Sequence, residues 1–317
     1  MNKVTLKISD SRTYFKTFYQ HILYFLANFV DMKRILFIQL IISFCIFSGF
    51  SQISEAVDTL FEEDPYFLLM GEAELAIKDE NWTEAAARLE DALAVKPNHP
   101  SNALLYSNLG GVYVAMREDS LALENYTKAL EIAPNMLTPM VGRGRLLLAM
   151  GRDKEAFADF SHAIEVDSIN TDARYYHGMM SLYGGILAMA EEDFAILESI
   201  APRSTDTAVA LSTLYSMTGR DAEAIPYLKK LVENTPSPEF YSNLAGCYLK
   251  LDRLNEASET ISDGLKLYPD DPELYYYRAW LNRERYRLDD AHNDAKKAIK
   301  LGANPVKIDE LFRKQGN

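Results

Sequence analysis

Residues 103–136 read ALLYSNLGGVYVAMREDSLALENYTKALEIAPNM. Apolar residues recur at helical spacing in each half of this stretch, and a polar segment separates the halves. The apolar positions are Tyr106, Leu109, Gly110 and Tyr113 in the first half and Ala122, Tyr126 and Ala129 in the second, followed by Pro134. Residues three and four apart share one face of a helix, so the stretch predicts two amphipathic helices joined by a turn.

The same pattern recurs along the chain with a period of 34 residues. If Ala122 is position 20 of its repeat, the equivalent residues are Ala85, Ala156, Ala190, Ala224, Ala257 and Ala291. Position 8 is small in every copy, position 24 is large and apolar in all but the last, and position 32 is proline in five. Self-similarity at this period is typical of a helical repeat protein.

Each recurring position has a packing reason. Small residues at positions 8 and 20 allow the two helix axes to approach closely, and the large residue at position 24 fills the space beside them. Glycine at position 15, as in Gly151, Gly185 and Gly219, can adopt the left-handed conformation that ends the first helix. Proline at position 32 ends the second helix. Because one hairpin cannot bury both faces, neighbouring hairpins must stack.

This pattern resembles the tetratricopeptide repeat. The family's eight-place signature is matched in full from Tyr106 to Pro134, and the copy at residues 238–271 comes close. The resemblance covers residues 66–305 and implies an all-α fold, a right-handed α-solenoid of about seven hairpins. We expect terminal caps at residues 52–65 and 306–317. The signature is strong evidence for the fold and weak evidence for the function.

Residues 32–51 predict a secretory signal peptide. Lys33 and Arg34 precede an apolar stretch, residues 35–50, and a small residue, Ser51, stands before the expected cleavage point. Sixteen residues span roughly 24 Å as a helix, less than the roughly 30 Å hydrocarbon core, which favours cleavage over a retained membrane helix. For residues 1–31 two hypotheses remain: translation begins at Met32, or this aromatic-rich segment lies at a membrane.

Charge and motifs exclude several function classes. Beyond residue 51 the chain has 27 basic and 44 acidic residues, a net charge of −17, so we expect no nucleic-acid partner. The two cysteines, Cys45 and Cys247, cannot form a disulfide scaffold or a zinc site. Catalytic and nucleotide-binding motifs are absent, and no histidine has a second ligand in register. We therefore expect no enzymatic activity, no metal and no small-molecule cofactor.

Candidate binding residues come from the first helix of each repeat, which by the resemblance lines the concave face. The aromatic and polar residues projecting there are Tyr175, Tyr176, Met179, Tyr183, Asn108, Arg145, Asn243, Tyr276 and Trp280. Tyrosine and tryptophan are common in binding hot spots, and asparagine can pair with an extended peptide backbone. Alternatively, the tyrosines fill the inside of the superhelix, and Tyr276 or Trp280 meets the C-terminal helix. Four acidic residues at position 2 predict a rim that selects a cationic partner: Asp172, Asp206, Glu239 and Glu273.

The sequence thus predicts an exported, periplasmic or extracellular scaffold that binds a peptide or protein partner in an envelope assembly. A second hypothesis is a membrane-anchored subunit of an envelope complex, with membrane contact only if residues 1–50 are retained. A third is an enzyme or sugar-binding protein that uses the acidic surface, which would require two inward carboxylates facing each other.

Overall fold

A computed structural model describes residues 64–313, and within this range it contains fifteen helices and no strands. The first helices of the repeats are α1 Pro65–Lys78, α3 Asn102–Ala115, α5 Leu137–Ala149, α7 Thr171–Tyr183, α9 Thr205–Met217, α11 Pro238–Lys250 and α13 Pro272–Glu284. The second helices are α2 Trp82–Val95, α4 Asp119–Ile132, α6 Asp153–Val166, α8 Leu187–Ile200, α10 Asp221–Asn234, α12 Leu254–Leu267 and α14 Leu288–Lys300. A last helix, α15, runs over Pro305–Arg313.

The described residues form two compact units that divide after Ala156. In the first unit α1 pairs with α2 and α3 with α4, and α2 and α4 contact the helix that follows each of them. In the second unit the pairs are α7 with α8, α9 with α10, α11 with α12 and α13 with α14, again with contacts between successive pairs. The all-α fold of consecutive helical hairpins predicted from the period is confirmed.

Several predicted segments lie outside the described residues. They are residues 1–31, the signal segment at 32–51 and nearly all of the N-terminal cap. The C-terminal cap was predicted at residues 306–317; α15, Pro305–Arg313, begins one residue earlier and covers residues 306–313 of this region. Between residues 64 and 313, no helix has the length and apolar character needed to cross a membrane.

Size complementarity between positions 8 and 24 sets the spacing within a hairpin. A Cβ atom on Gly110 would lie 2.4 Å from Cδ1 of Tyr126, and one on Gly178 would lie 2.4 Å from Cε1 of Phe194. Real Cβ contacts do not occur below 3.0 Å, so these two aromatic rings require glycine opposite them. Where position 24 is aliphatic, position 8 carries a side chain, as in the buried pair Ala245 and Ile261.

The turn inside each repeat has a left-handed backbone at position 15, whether or not glycine is there. The glycines have φ of 72–76°, and four other residues, Glu80, Arg117, Asp252 and Tyr286, have φ of 56–62°. In every repeat the position 16 amide donates to the position 11 carbonyl at 2.7–2.9 Å. The sequence predicted this conformation at the glycines alone. The closing hydrogen bond imposes it on the other four residues, at about 1–2 kcal/mol each.

Replacing Tyr286 with glycine should therefore stabilise the second unit. The Tyr286 side chain is 86% exposed, so its removal eliminates few packing contacts. We expect Tyr286→Gly to raise the free energy of unfolding by about 0.5–1 kcal/mol, because relief of backbone strain exceeds the added entropy of the unfolded chain. The measurement is the midpoint of urea unfolding.

The matched control is Gly185→Ala, which adds strain at the same position of another repeat. No atom lies within 4 Å of the site of its added Cβ, so its effect reports the backbone alone. It should lower the midpoint. A lower midpoint for Tyr286→Gly would contradict the strain argument.

Candidate functional site

The first unit contributes two of the predicted binding residues. Asn108 on α3 is half-buried, and its side-chain amide makes no hydrogen bond among residues 64–313. Arg145 on α5 is exposed. Burial raises the pKa of the Tyr126 phenol, and the guanidinium of Arg145 opposes this rise, which places its charge near that ring. Both residues lie on first helices, as predicted.

The tyrosine cluster of α7 is only partly exposed. Tyr176 stacks on Phe160 with ring centroids 5.1 Å apart, and Tyr175 meets Tyr176 edge-on at 5.1 Å. Tyr175 and Met179 pack against the apolar core around α8 and α9. Tyr183 is 68% exposed. The cluster thus combines the two alternatives considered for it: three side chains pack against the repeat, and the fourth stands in solvent.

Carboxylates on two further first helices raise the pKa of a tyrosine in this cluster. Burial raises the pKa of Tyr175 to about 12, and the negative charges of Asp206 on α9 and Glu239 on α11 contribute to that rise. Asp172, Asp206 and Glu239 are exposed, and none of these carboxylates forms an ion pair within the described part of the chain. We call Tyr175, Tyr183 and these three acids the carboxylate–tyrosine face.

Glu273, the fourth member of the predicted acidic rim, differs from the others. Its carboxylate accepts a hydrogen bond from Lys307 of α15 in a salt bridge. The Lys307 ammonium also lies over the Tyr276 ring, 4.2 Å from its centroid. The rim prediction therefore needs correction at this position, because the chain supplies its own cation there.

Tyr276 and Trp280 belong mainly to the interior of the last repeat. Tyr276 is 8% exposed and packs in a cluster with Ile308 and Leu311 of α15. Trp280 is half-buried, and its indole N–H donates to Oε1 of Glu284 at 2.8 Å. Contact with the C-terminal helix was the alternative considered for this pair. The sequence alone could not decide between partner binding and packing against α15 for this pair, because α15 lies some thirty residues away in the chain.

Asn243 on α11 is exposed, like Arg145.

The sequence did not predict a buried polar network behind the tyrosines. Oδ1 of Asp193 accepts a hydrogen bond from Arg174 at 2.6 Å, and its Oδ2 lies 2.5 Å from Nδ1 of His177. Arg174 also donates to the Ser168 carbonyl at 2.9 Å. His177 is thus a buried, hydrogen-bonded structural residue. Its partner Asp193 stands at position 23, and the same position holds Asp294, which pairs with Arg278. The recurrence of aspartate at position 23, where the helices pack, is the sequence signal that could have predicted this network.

This network offers no route for a substrate. Asp193 is 2% exposed, and Ser181, one helical turn after His177 on α7, is 1% exposed, so this aspartate, histidine and serine are closed off from solvent. Among residues 64–313, no group of three His, Cys, Asp or Glu side chains could hold a metal ion. Burial raises the pKa of the Cys247 thiol to about 11, which makes it a poor nucleophile.

Comparison with known proteins agrees with the helical geometry. Two tetratricopeptide repeat family models match the chain, one at residues 67–135 and the other at residues 222–281. A curated relative, anaphase-promoting complex subunit 7 of Dictyostelium discoideum, is 27% identical over 197 residues, which is 60% of this chain. The match spans about a third of that relative's length, 32%.

Two solved structures share the fold. A tetratricopeptide repeat protein from Parabacteroides merdae aligns with a TM-score of 0.56 and 23% identity, covering 80% of this chain and 99% of that one. YrrB, described as a TPR protein with an unusual peptide-binding site, aligns with a TM-score of 0.52 and 22% identity, covering 61% and 100%. At these identities the likeness shows the fold alone. From its repeat pattern, its hairpins and these matches, the chain is a tetratricopeptide repeat protein.

Proposed function

We propose that this chain is a non-catalytic scaffold that binds an extended, positively charged segment of a protein partner on the carboxylate–tyrosine face. The observation that carries the proposal is the row of position 2 carboxylates on α7, α9 and α11, which form no ion pair within residues 64–313. Like charges on neighbouring helices repel one another. A partner that brings a cation between them would relieve that repulsion.

The last repeat provides an internal template for this contact. There the position 2 and position 5 residues are Glu273 and Tyr276, and Lys307 pairs with the first and covers the ring of the second. The fourth repeat has the same two kinds of residue at the same positions, Asp172 and Tyr175, but no lysine in the described part of the chain pairs with this aspartate or covers this ring. A lysine or arginine of the partner would complete the arrangement, and a cation over an aromatic ring contributes about 0.5–2 kcal/mol.

The exposed aromatic residue fits the same partner. Tyr183 is the last residue of α7 and 68% exposed, and a large aromatic group at a protein surface is a frequent anchor for binding. YrrB, which shares the fold, is described as having an unusual peptide-binding site, and this supports a peptide as the kind of ligand.

Charge-neutralising variants test this proposal. A peptide array in which lysine content varies at constant length should show that the protein retains lysine-containing peptides. The double variant Asp206→Asn with Glu239→Gln should weaken this binding at least tenfold, because two attractive charges are lost. Binding should also weaken as salt rises from 50 to 500 mM.

The matched control removes the same number of negative charges, but from second helices. Glu233→Gln with Glu259→Gln removes two exposed carboxylates from α10 and α12. If both double variants bind the lysine peptides equally well, or if lysine content has no effect on retention, the carboxylate–tyrosine face is not the binding surface.

We further propose that the protein is exported and acts in an envelope assembly. The support is the charged start, apolar stretch and small residue of segment 32–51. The alternative is a membrane-anchored subunit of an envelope complex that retains this segment.

The mass of the intact protein recovered from the producing cell separates these alternatives. Export with cleavage predicts a product that begins at Gln52. A product that retains the apolar stretch would contradict cleavage and would favour the anchored subunit.

A further inference from the structure

A cavity of about 400 Å³ lies between α12 and α13 in the second unit. Ile261 and Leu281 contribute apolar surface, and Ser258 and Ser262 contribute hydroxyl groups. The cavity is also lined by arginines, of which Arg285 and Arg287 follow the end of α13. In a chain with a net charge of −13, this concentration of positive charge requires an explanation.

Arg287 departs from the pattern set by the other repeats. Arginine stands at position 16 in four of the seven repeats, and in the first three of these four it pairs with a glutamate at position 19. The pairs are Arg152–Glu155 at 2.7 Å, Arg220–Glu223 at 2.6 Å and Arg253–Glu256 at 2.8 Å. In the last repeat position 19 is Asp290, which is one methylene shorter than glutamate. The Arg287 side chain forms no ion pair or hydrogen bond among residues 64–313, and it lines the cavity instead.

Arg285 is held in place by neutral groups. Its guanidinium donates to Oγ of Ser258 at 3.2 Å, to the Leu254 carbonyl at 3.0 Å and to Oδ1 of Asn255 at 3.2 Å. These bonds fix its orientation without neutralising its charge. Because the Ser258 oxygen accepts from Arg285, its own proton is available to donate to a ligand.

Two carboxylates near the cavity are already engaged by residues that line it. Asp294 accepts from Arg278 at 2.5 and 2.9 Å and from Asn282 at 2.9 Å. Asp263 pairs with Lys266 at 2.7 Å. Asp290 contributes its negative charge to the field at Arg278. Two guanidinium groups, Arg285 and Arg287, are thus left without a bonded anion.

We infer that this cavity binds an oxyanion, either a carboxylate or a phosphoryl group. Arginine presents a planar fork of donors that matches both groups, and charge-assisted hydrogen bonds of this kind are about twice as strong as neutral ones. A hydroxyl donor from Ser258 adds to the fork. The site shares no residue with the carboxylate–tyrosine face, so it stands independently of the function proposed above.

Nuclear magnetic resonance of the arginine side chains in the full-length protein tests this inference. Sodium sulfate and sodium acetate are each titrated at constant ionic strength, while the Nε–Hε signals of Arg285 and Arg287 are followed. We expect saturable shifts of both signals. Tighter binding of sulfate identifies a phosphoryl-like ligand, and tighter binding of acetate identifies a carboxylate.

Three variants make the result specific. Asp290→Glu rebuilds the ion pair found in the other repeats, and it should weaken anion binding at least threefold by engaging Arg287. Arg287→Gln should weaken it at least tenfold. Arg253→Gln, at the same position of the preceding repeat, should leave the affinity unchanged. The inference is overturned if neither anion gives saturable shifts, if Arg253 responds as strongly as Arg287, or if Asp290→Glu and Arg287→Gln both bind like the parent.

Discussion

The close approach of the two helices in each hairpin is the constraint on which the rest of the structure depends. Glycines 110 and 178 face the rings of Tyr126 and Phe194 so closely that a methyl group would overlap the ring. The position 20 alanines are all 0% exposed, which shows that no solvent reaches the contact between the helices on that side either. Protein interiors are packed without spare volume, so this spacing fixes where the outer faces of the first helices lie.

Two surfaces of opposite charge result from one repeat geometry. Position 2 places carboxylates on successive first helices of the second unit, and position 16 places arginines at successive turns. The chain neutralises one of the four carboxylates itself, through Lys307, and three of the four arginines, through position 19 glutamates. The proposed binding sites are the places where that internal compensation is missing. In a repeat protein, each site can thus be compared with the equivalent positions of the other repeats.

The sequence predicted the fold well because its determinants are local and periodic. Alanine, glycine and proline at fixed positions specify the helices, the close contact and the turns. The sequence did not predict features that depend on distant residues. Burial of Tyr276 depends on α15, and the engagement of Glu273 depends on Lys307. The left-handed backbone at Tyr286 follows from the hydrogen bond that closes the turn, not from its residue type.

The role of the candidate residues in binding stays a prediction, but several of their surroundings can be compared with what the sequence indicated. Tyr183 is exposed and Tyr175 is half-buried beside Asp206 and Glu239, as a binding face requires. The pairing of Arg174 and His177 with Asp193 was missed, because an aspartate on a second helix was interpreted as a solvent-exposed charge. Sequence periodicity gives the face of a helix on which a residue lies, whereas its partner is set by packing between helices.

A double-mutant cycle at Gly178 and Phe194 tests the central claim most directly. Gly178→Ala in the parent protein should lower the free energy of unfolding by about 1–3 kcal/mol, because the added methyl group overlaps the ring. In the Phe194→Leu background the same change should cost little, since alanine opposite an aliphatic residue is the arrangement of the sixth repeat. The account predicts a coupling of more than about 1 kcal/mol. An equal effect of Gly178→Ala in both backgrounds would contradict it.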